Sequence, residues 1–455
     1  MRPHPEDTIV AIATAIGEAG LGVVRLSGPA AISIASRLFS SPTLASASSH
    51  TLHHGWLSRQ GLRLDDAVAG LFRTPRSYTG EDVVEFSCHG SPAVLRELLD
   101  WCQAEGARLA RPGEFTERAY LNGKIDLAQA EAVALLISAR SSRAARAAAD
   151  QLSGGLSTRV ADIRGGLIDL LARIEANLDF AEEAIPPVSR ERMSADIKAL
   201  GAALDELLAT GAKGRRLRDG VRVVLAGRPN VGKSSIFNSL LAEDRAIVTD
   251  VPGTTRDTLE EQVQWKGHPV TLIDTAGLRE GADAVERIGA ERARLAQARA
   301  DVAVLVIDAS QGITDDDVRI SRELEGRRVV AALNKTDRGN HCAGIERLNV
   351  LAAVPTSAVT REGFEGLRDA VLNALPNDPD GADAGVVVTS ERHAERLGAA
   401  RDRMASALQA AAEGRSEEAL ASDLRAAAGE LAAITGEDVG EAVLDSIFSQ
   451  FCIGK

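Results

Sequence analysis

Residues 221–235 read VRVVLAGRPNVGKSS. Val221 to Ala226 has the length and apolar content of a buried strand. It runs straight into Gly227-Arg-Pro-Asn-Val-Gly232-Lys233-Ser234, a GxxxxGK[ST] phosphate loop that opens a helix. Glycines let backbone N–H groups approach phosphate oxygens, Lys233 sets a positive charge against the β and γ groups, and Ser234 offers a hydroxyl to Mg2+. The run expected to touch the phosphates is Asn230, Val231, Gly232, Lys233, Ser234 and Ser235.

Working outward, the strand-like HPVTLIDTAG ends in Asp274, Thr275, Ala276 and Gly277. This places a carboxylate beside the metal and a glycine amide where it can sense loss of the γ-phosphate. VVAALNKTD sets Asn334, Lys335, Thr336 and Asp337 at the end of another strand. Asp337 can accept from guanine N1–H and the 2-amino group, whereas adenine would leave it unpaired, so GTP is expected over ATP. Thr356, Ser357 and Ala358 follow strand-like LAAV and resemble the short segment that finishes a guanine pocket. Between the phosphate loop and DTAG lies Thr249-Asp250-Val251-Pro252-Gly253-Thr254-Thr255-Arg256, in which Thr255 is the second hydroxyl expected on Mg2+.

The hydrolytic machinery departs from the Ras pattern. Leu278 stands where Ras-like switches carry a water-orienting glutamine, and leucine cannot hydrogen-bond. Glu286 is the alternative carboxylate, with a solvated helix position as its plainer reading. The missing positive charge could come from Arg256, Arg279 or a bound cation. The side-chain carbonyl of Asn230, joined by backbone carbonyls around Thr249 to Thr254, would suit a monovalent cation.

At 455 residues the chain exceeds one hydrophobic core, and 45% apolar with 26% charged residues excludes a largely disordered protein. Before the phosphate loop, short strands (IVAIAT, GVVRLSG, DDAVAGLF, EDVVEFSCHG) and helical AVLRELLDWCQ predict an α+β domain over 1–121. Leu152, Leu156, Val160, Ile163, Leu167, Leu170, Ile174 and Leu178 recur at helical spacing and predict one long helix stopped by Pro186 and Pro187. The alternating strand and helix pattern predicts a parallel α/β domain over 220–378. Alanine-rich helices on either side, 122–219 and 379–455, match in composition, as two halves of one all-α domain interrupted by an insertion would.

Cys88, Cys102, Cys342 and Cys452 show no zinc-ligand spacing and are expected as reduced thiols, Cys88 and Cys102 as packing residues. His89 has no partner at metal spacing and reads as a loop or core histidine. With no signal-peptide pattern and no eighteen-residue apolar stretch, a cytoplasmic protein without a membrane partner is expected. The terminal CIGK is a poor prenylation box. The formal charge of −13 lacks the basic footprint of a nonspecific nucleic-acid binder, so an RNA contact must be local and weak or depend on a partner. Arg140, Arg143 and Arg146 share one helical face, for which a solvated surface is the plainer reading.

Taken with SYTGEDVVEFSCHG, RPGEFTERAYLNGKIDLAQAEA, GRPNVGKSS, TDVPGTTRD, DTAGLRE and the terminal FCIGK, the chain resembles the MnmE (TrmE) family over nearly its whole length. The resemblance implies an N-terminal folate-binding and dimerisation domain, a helical domain, and an inserted Ras-like GTPase domain. It implies that Arg25, Glu85, Lys124 and Lys455 contact a tetrahydrofolate (5,10-methylene or 5-formyl form). It further implies that Asn230, Thr249, Val251 and Thr254 bind K+ in place of an arginine finger, that Glu286 organises the water, and that Cys452 takes part in chemistry. Partners implied are GTP with Mg2+, tRNA, a second copy in a homodimer, and the flavoprotein MnmG (GidA) in a heterotetramer or larger complex. The reaction implied adds an aminomethyl or carboxymethylaminomethyl group to carbon 5 of the wobble uridine. AIGEAG replaces the family's Pro-Gly-Arg-Gly-Gly loop and HGSP its commoner HGGP. A regulatory GTPase of ribosome assembly, whose N-terminal domain only recruits RNA or protein, is the alternative; a scaffold with a degenerate nucleotide site is a third.

Overall fold

The computed structural model describes residues 7–139, 141–179, 190–244, 260–266, 268–274, 300–339, 343–375, 386–437 and 439–455. Two units emerge, one of Met1–Ser138, Ala148–Ala209 and Glu391–Lys455, the other of Ala139–Ala147 and Thr210–Ser390.

In the first unit, β1 (Ile9–Ile12), β2 (Ala19–Ser27), β3 (Thr51–Arg59), β4 (Leu62–Phe72), β5 (Val83–Gly90) and β6 (Arg108–Leu109) form a sheet of order β3-β4-β5-β2-β1-β6. All pairings are antiparallel except β1 with β6. Helices Ala31–Leu38 and Pro92–Ala104 bury Ile34, Leu38, Leu95 and Leu98 against Val24, Leu26, Leu71 and Phe86 of the sheet. β3 lies at the sheet edge, where TLHHGWLSR shows no clean apolar alternation and leaves Leu52 and Trp56 exposed, so its sequence carries no strand signal. Cys88 and Cys102 lie in this core, where burial pushes their thiols up to about 11 and about 12. His89, by contrast, is exposed near the end of β5 and hydrogen-bonds Asp65 at 2.8 Å.

Helix Glu114–Leu121 is tied to this sheet by charge. Arg118, 3% exposed, reaches Asp7, both oxygens of Glu81 at 3.1 Å and the fully buried Glu114 at 3.2 Å. Arg108 reaches Asp7 and Glu114 at 2.7 Å.

The remainder of the first unit is helical. Leu156, Val160, Ile163, Leu167, Leu170 and Ile174 are buried along Gly155–Asp179, as their spacing predicted, but Leu152 closes a separate helix, Ser142–Leu152, whose residues up to Ala147 group with the second unit. Alanines 400, 407, 421, 427 and 428 are buried where Glu391–Ala412 packs on Glu417–Thr435, their small side chains letting the two helices pack closely. Arg392 reaches the last-turn carbonyls of Ala433 (2.7 Å) and Ile434 (2.9 Å). Both Arg392 and His393 also pair with Glu131 of Leu127–Ser138. Burial alone would raise the Glu131 carboxyl, but these partners hold it down at about 2. Past Glu441–Phe448, Phe448 and Phe451 pack on Leu127 and Ala130, and the terminal residues return to helix Glu114–Leu121: Gly113 N–H donates to Cys452 O at 3.4 Å and Phe115 N–H to Lys455 O at 3.3 Å.

In the second unit, β7 (Val221–Ala226), β8 (Glu260–Trp265), β9 (His268–Asp274), β10 (Val302–Asp308), β11 (Val329–Asn334) and β12 (Ala352–Pro355) form a sheet of order β12-β11-β10-β7-β9-β8. Only β8, at the edge, runs antiparallel. β10 is buried along its whole length, as expected where apolar cores cover both faces of a parallel sheet. This is the Ras-like P-loop arrangement, so the fold class is multidomain α/β with an α+β and an all-α part. Among the described residues, no helix is long and apolar enough to cross a membrane.

Candidate nucleotide and folate sites

The carboxyl ends of β7, β9, β10 and β11 bring Gly227, Asp274, Asp308 and Asn334 to one edge, where open α/β sheets bind ligands. Gly227 and Gly232 have φ of +144° and +99°. A Cβ would lie 2.4 Å from Val306 O at the first and 2.2 Å from Asn334 Nδ2 at the second, so neither position accepts a side chain. Asn230 itself sits at φ +63°. Lys233 opens helix Lys233–Asp244, its Nζ donating to Gly227 O at 3.0 Å and Arg228 O at 2.7 Å, which folds it over the loop where phosphates are expected. Ser234 Oγ donates to Asp274 Oδ2 at 3.2 Å, so the hydroxyl and carboxylate named for Mg2+ converge.

At the other end of the same cavity, Asn334 is buried and acts as a brace. Its Nδ2 donates to Val231 O at 2.9 Å and its Oδ1 accepts from Ala358 N–H at 3.2 Å, linking the phosphate loop to the 356–358 segment. Ser357 Oγ donates to Asp337 Oδ1 at 2.6 Å, fixing that carboxylate at the cavity. Lys335, at φ +66°, donates to Asn230 O at 2.8 Å and to Asp308 Oδ2 at 2.6 Å. The cavity measures about 1020 Å3 and is lined by Asn230, Lys233, Ser234, Asn334, Asp337 and Ala358, among others. Val231 and Thr336 support it from behind, Thr336 Oγ1 donating to Thr356 O at 3.0 Å; Ser235 lines it.

Two residues of this site escaped the sequence reading. Asp308 anchors Lys335; burial would raise its carboxyl, yet hydrogen bonds from Lys335 and Ser310 bring it below the ordinary aspartate range. Its signal was available, an aspartate closing the apolar run VAVLVID in register with Asn334. Arg228 Nε donates to the fully buried Asp317 at 2.8 Å, a partner 89 residues away whose local mark, the Thr314-x-x-Asp317 capping box, points only to a helix start. Thr249, Asp250, Val251, Pro252, Gly253, Thr254, Thr255, Arg256, Thr275, Ala276, Gly277, Leu278, Arg279 and Glu286 lie outside the described residues, as does Cys342.

In the first unit, Arg25 and Glu85 are register partners on β2 and β5 and hydrogen-bond at 2.6 Å. The Arg25 guanidinium lies over the rings of Tyr78 (5.7 Å) and Phe115 (5.6 Å). Lys455 joins them: burial, with Arg25 nearby, draws its ammonium below the usual lysine range, while Glu85 and Cys452 oppose the shift. Lys124 Nζ donates to Pro75 O at 3.0 Å, on the loop that also carries Tyr78. Cys452 is exposed. A cation pair, a carboxylate and aromatic faces suit a flat heterocycle bearing acidic groups.

Comparison with known proteins bears on both units. A family model described as GTP-binding protein TrmE N-terminus matches residues 8–124, and one described as MnmE helical domain matches residues 127–452. The tRNA modification GTPase MnmE of Heliobacterium modesticaldum is 42% identical over 99% of this chain and 99% of that protein. That of Symbiobacterium thermophilum is 44% identical over 99% of this chain and 100% of that protein. Among solved structures, the G domain of T. maritima FeoB is 30% identical over 34% of this chain and 98% of that one, with a TM-score of 0.26. With the phosphate-loop residues and Asn334, Asp337 and Ala358 lining one cavity and the family matches spanning the chain end to end, the protein belongs to the MnmE (TrmE) family of tRNA modification GTPases.

Proposed function

We propose that this chain is a potassium-stimulated GTPase. With a flavin-dependent partner of the MnmG (GidA) kind, it installs an aminomethyl or carboxymethylaminomethyl group on carbon 5 of a tRNA wobble uridine from a folate one-carbon unit. The observation that carries the reading is one cavity lined by Lys233, Ser234 and Asp337, with Ser234 donating to Asp274, on a chain that matches tRNA modification GTPases over 99% of its length. In this reading Ser234 and Thr255 hold Mg2+, Asn230 with Thr249, Val251 and Thr254 holds K+, and Glu286 orients the attacking water. Arg256 and Arg279 remain alternative sources of positive charge, and a homodimer in the cytoplasm is the working assembly. Nucleoside mass spectrometry of tRNA from a deletion strain tests the whole: loss of carbon-5-modified wobble uridine is expected, and an unchanged nucleoside profile would refute it.

Potassium dependence follows from the oxygen-rich loop. GTP hydrolysis is expected to run roughly tenfold or more faster in KCl than in NaCl, the scale of one electrostatic contact to a developing charge. Asn230→Gly, which keeps the positive φ while deleting the side-chain carbonyl, is expected to erase the difference between the salts. Equal rates for the unmodified protein in both salts would remove K+ from the mechanism.

For folate, Arg25→Ala deletes a charge-assisted contact and leaves Glu85 without its partner. Tetrahydrofolate affinity by calorimetry is expected to fall roughly tenfold to a hundredfold, with GTP turnover intact. A protein that ignores tetrahydrofolate altogether would favour the ribosome-assembly alternative.

A further inference from the structure

Positive charge in this acidic chain is gathered in one place outside both sites. Residues 139–147 and 210–222 together contain eight arginines and lysines and one acid, within a chain of net charge −13. The structure brings the two segments together. Residues 139–147 group with the unit that holds the nucleotide cavity, and burial of Ala144 and Ala147 along one face of Ser142–Leu152, with Ser141 buried just ahead of it, leaves Arg143 and Arg146 exposed. The second segment is helix Gly211–Asp219, which ends where Gly220 packs on β9: a Cβ there would sit 2.6 Å from Pro269 O. Helix Gly211–Asp219 lies against β9, and the neighbouring His268 is drawn below the ordinary histidine range by burial and by the charge of Arg143.

Lys213, Arg218 and Arg222 have interactions of their own, and Arg215 reaches Asp301 at 3.4 Å. Among the described residues, no carboxylate pairs with Arg143, Arg146 or Arg216. Like charges left unneutralised on one surface repel one another, and a polyanion relieves that repulsion while releasing its own counterions.

We propose that Arg143, Arg146 and Arg216 form a docking surface for the phosphate backbone of tRNA. The proposal rests on tRNA being the substrate of this chain, and it supplies the local contact that a net-negative protein requires. Phosphate contacts of this kind position an RNA without reading its sequence.

The test is binding of an unmodified tRNA transcript to the full-length protein by fluorescence anisotropy between 50 and 200 mM KCl, concentrations of the order over which counterion release is read. Arg143→Gln with Arg146→Gln is expected to weaken binding and make the plot of log affinity against log salt shallower by about one unit for each arginine lost. GTP turnover and thermal midpoint should not move, because neither residue touches the nucleotide cavity. Neutralising Arg159 and Arg425, exposed arginines of the first unit paired with Glu206 and Glu175, controls for net charge and should leave the slope unchanged. An unmodified protein that does not bind tRNA at low salt would defeat the substrate reading and the surface with it. A variant with unaltered affinity and slope would overturn the surface alone, leaving the patch to an acidic protein face.

Discussion

Asp337→Asn is expected to turn the protein from GTP to xanthosine triphosphate, with kcat/KM for GTP falling about a thousandfold or more. Guanine presents two donors, N1–H and the 2-amino group, to this position, and only an acceptor pair satisfies both. In the structure Ser357 Oγ donates to Asp337 Oδ1 at 2.6 Å, so one carboxylate oxygen is already oriented from behind. An asparagine there would keep its carbonyl on Ser357 and turn its NH2 toward the base, setting donors against donors. Xanthine, with a carbonyl in place of the 2-amino group, accepts from that NH2. Stability should barely change, because Asp337 is not buried and its contact to Ser357 survives. Steady-state hydrolysis of GTP, XTP and ATP by both proteins checks this. Retained GTP preference in the variant, or equal use of ATP by the parent protein, would show that Asp337 does not read the base.

The candidate nucleotide site is legible in the sequence because the chemistry it would need is local. The phosphate loop needs its glycines within six residues of each other, and the backbone shows why: Cβ atoms at Gly227 and Gly232 would collide with Val306 and Asn334. What contacts those glycines was not legible, since Val306 and Asn334 arrive from strands 79 and 102 residues away. Asp308 is marked locally as the aspartate closing VAVLVID, but its pairing with Lys335, like that of Asp317 with Arg228, is fixed by strand order and helix packing. In the α+β domain, periodicity found β1, β2, β4 and β5, whose apolar residues face a core, and missed β3 and helix Ala31–Leu38. The long helix was read across a real break because leucine spacing continues through Leu152 and Leu156 into two separate helices. RPGEFTER stood out only as a family string; its physical meaning emerges once Asp7, Glu81 and Arg108 are placed around Arg118. No periodicity encodes a charge network closed over more than a hundred residues.

That network carries the largest expected effect on stability. Arg118→Ala should destabilise the first unit by about 3–5 kcal/mol, the usual consequence of removing one partner from a buried ion cluster. The loss comes less from the attraction than from the carboxylates left behind: Glu114 is fully buried, and Arg118 supplies contacts to it, to Glu81 and to Asp7. Arg118→Lys should recover little, because one ammonium cannot span oxygens reached by two guanidinium nitrogens. The same cluster predicts acid lability with a defined sign. Burial would raise the Glu114 carboxyl, but Arg108, the Arg111 N–H and Arg118 hold it at about 2, below the 4.5 of an unfolded glutamate. A lowered carboxyl contributes its full stability above about pH 4.5 and loses it as pH falls from there toward about 2. Glu131, held at about 2 by His393 and Arg392, adds a second loss over the same window. Urea midpoints followed by circular dichroism should therefore drop steeply below pH 4.5 in the parent protein and less steeply in Glu114→Gln, which starts lower at neutral pH. A midpoint that stayed level from pH 7 to 3, or an Arg118→Ala variant as stable as its parent, would mean that these charges do not hold the helix to the sheet.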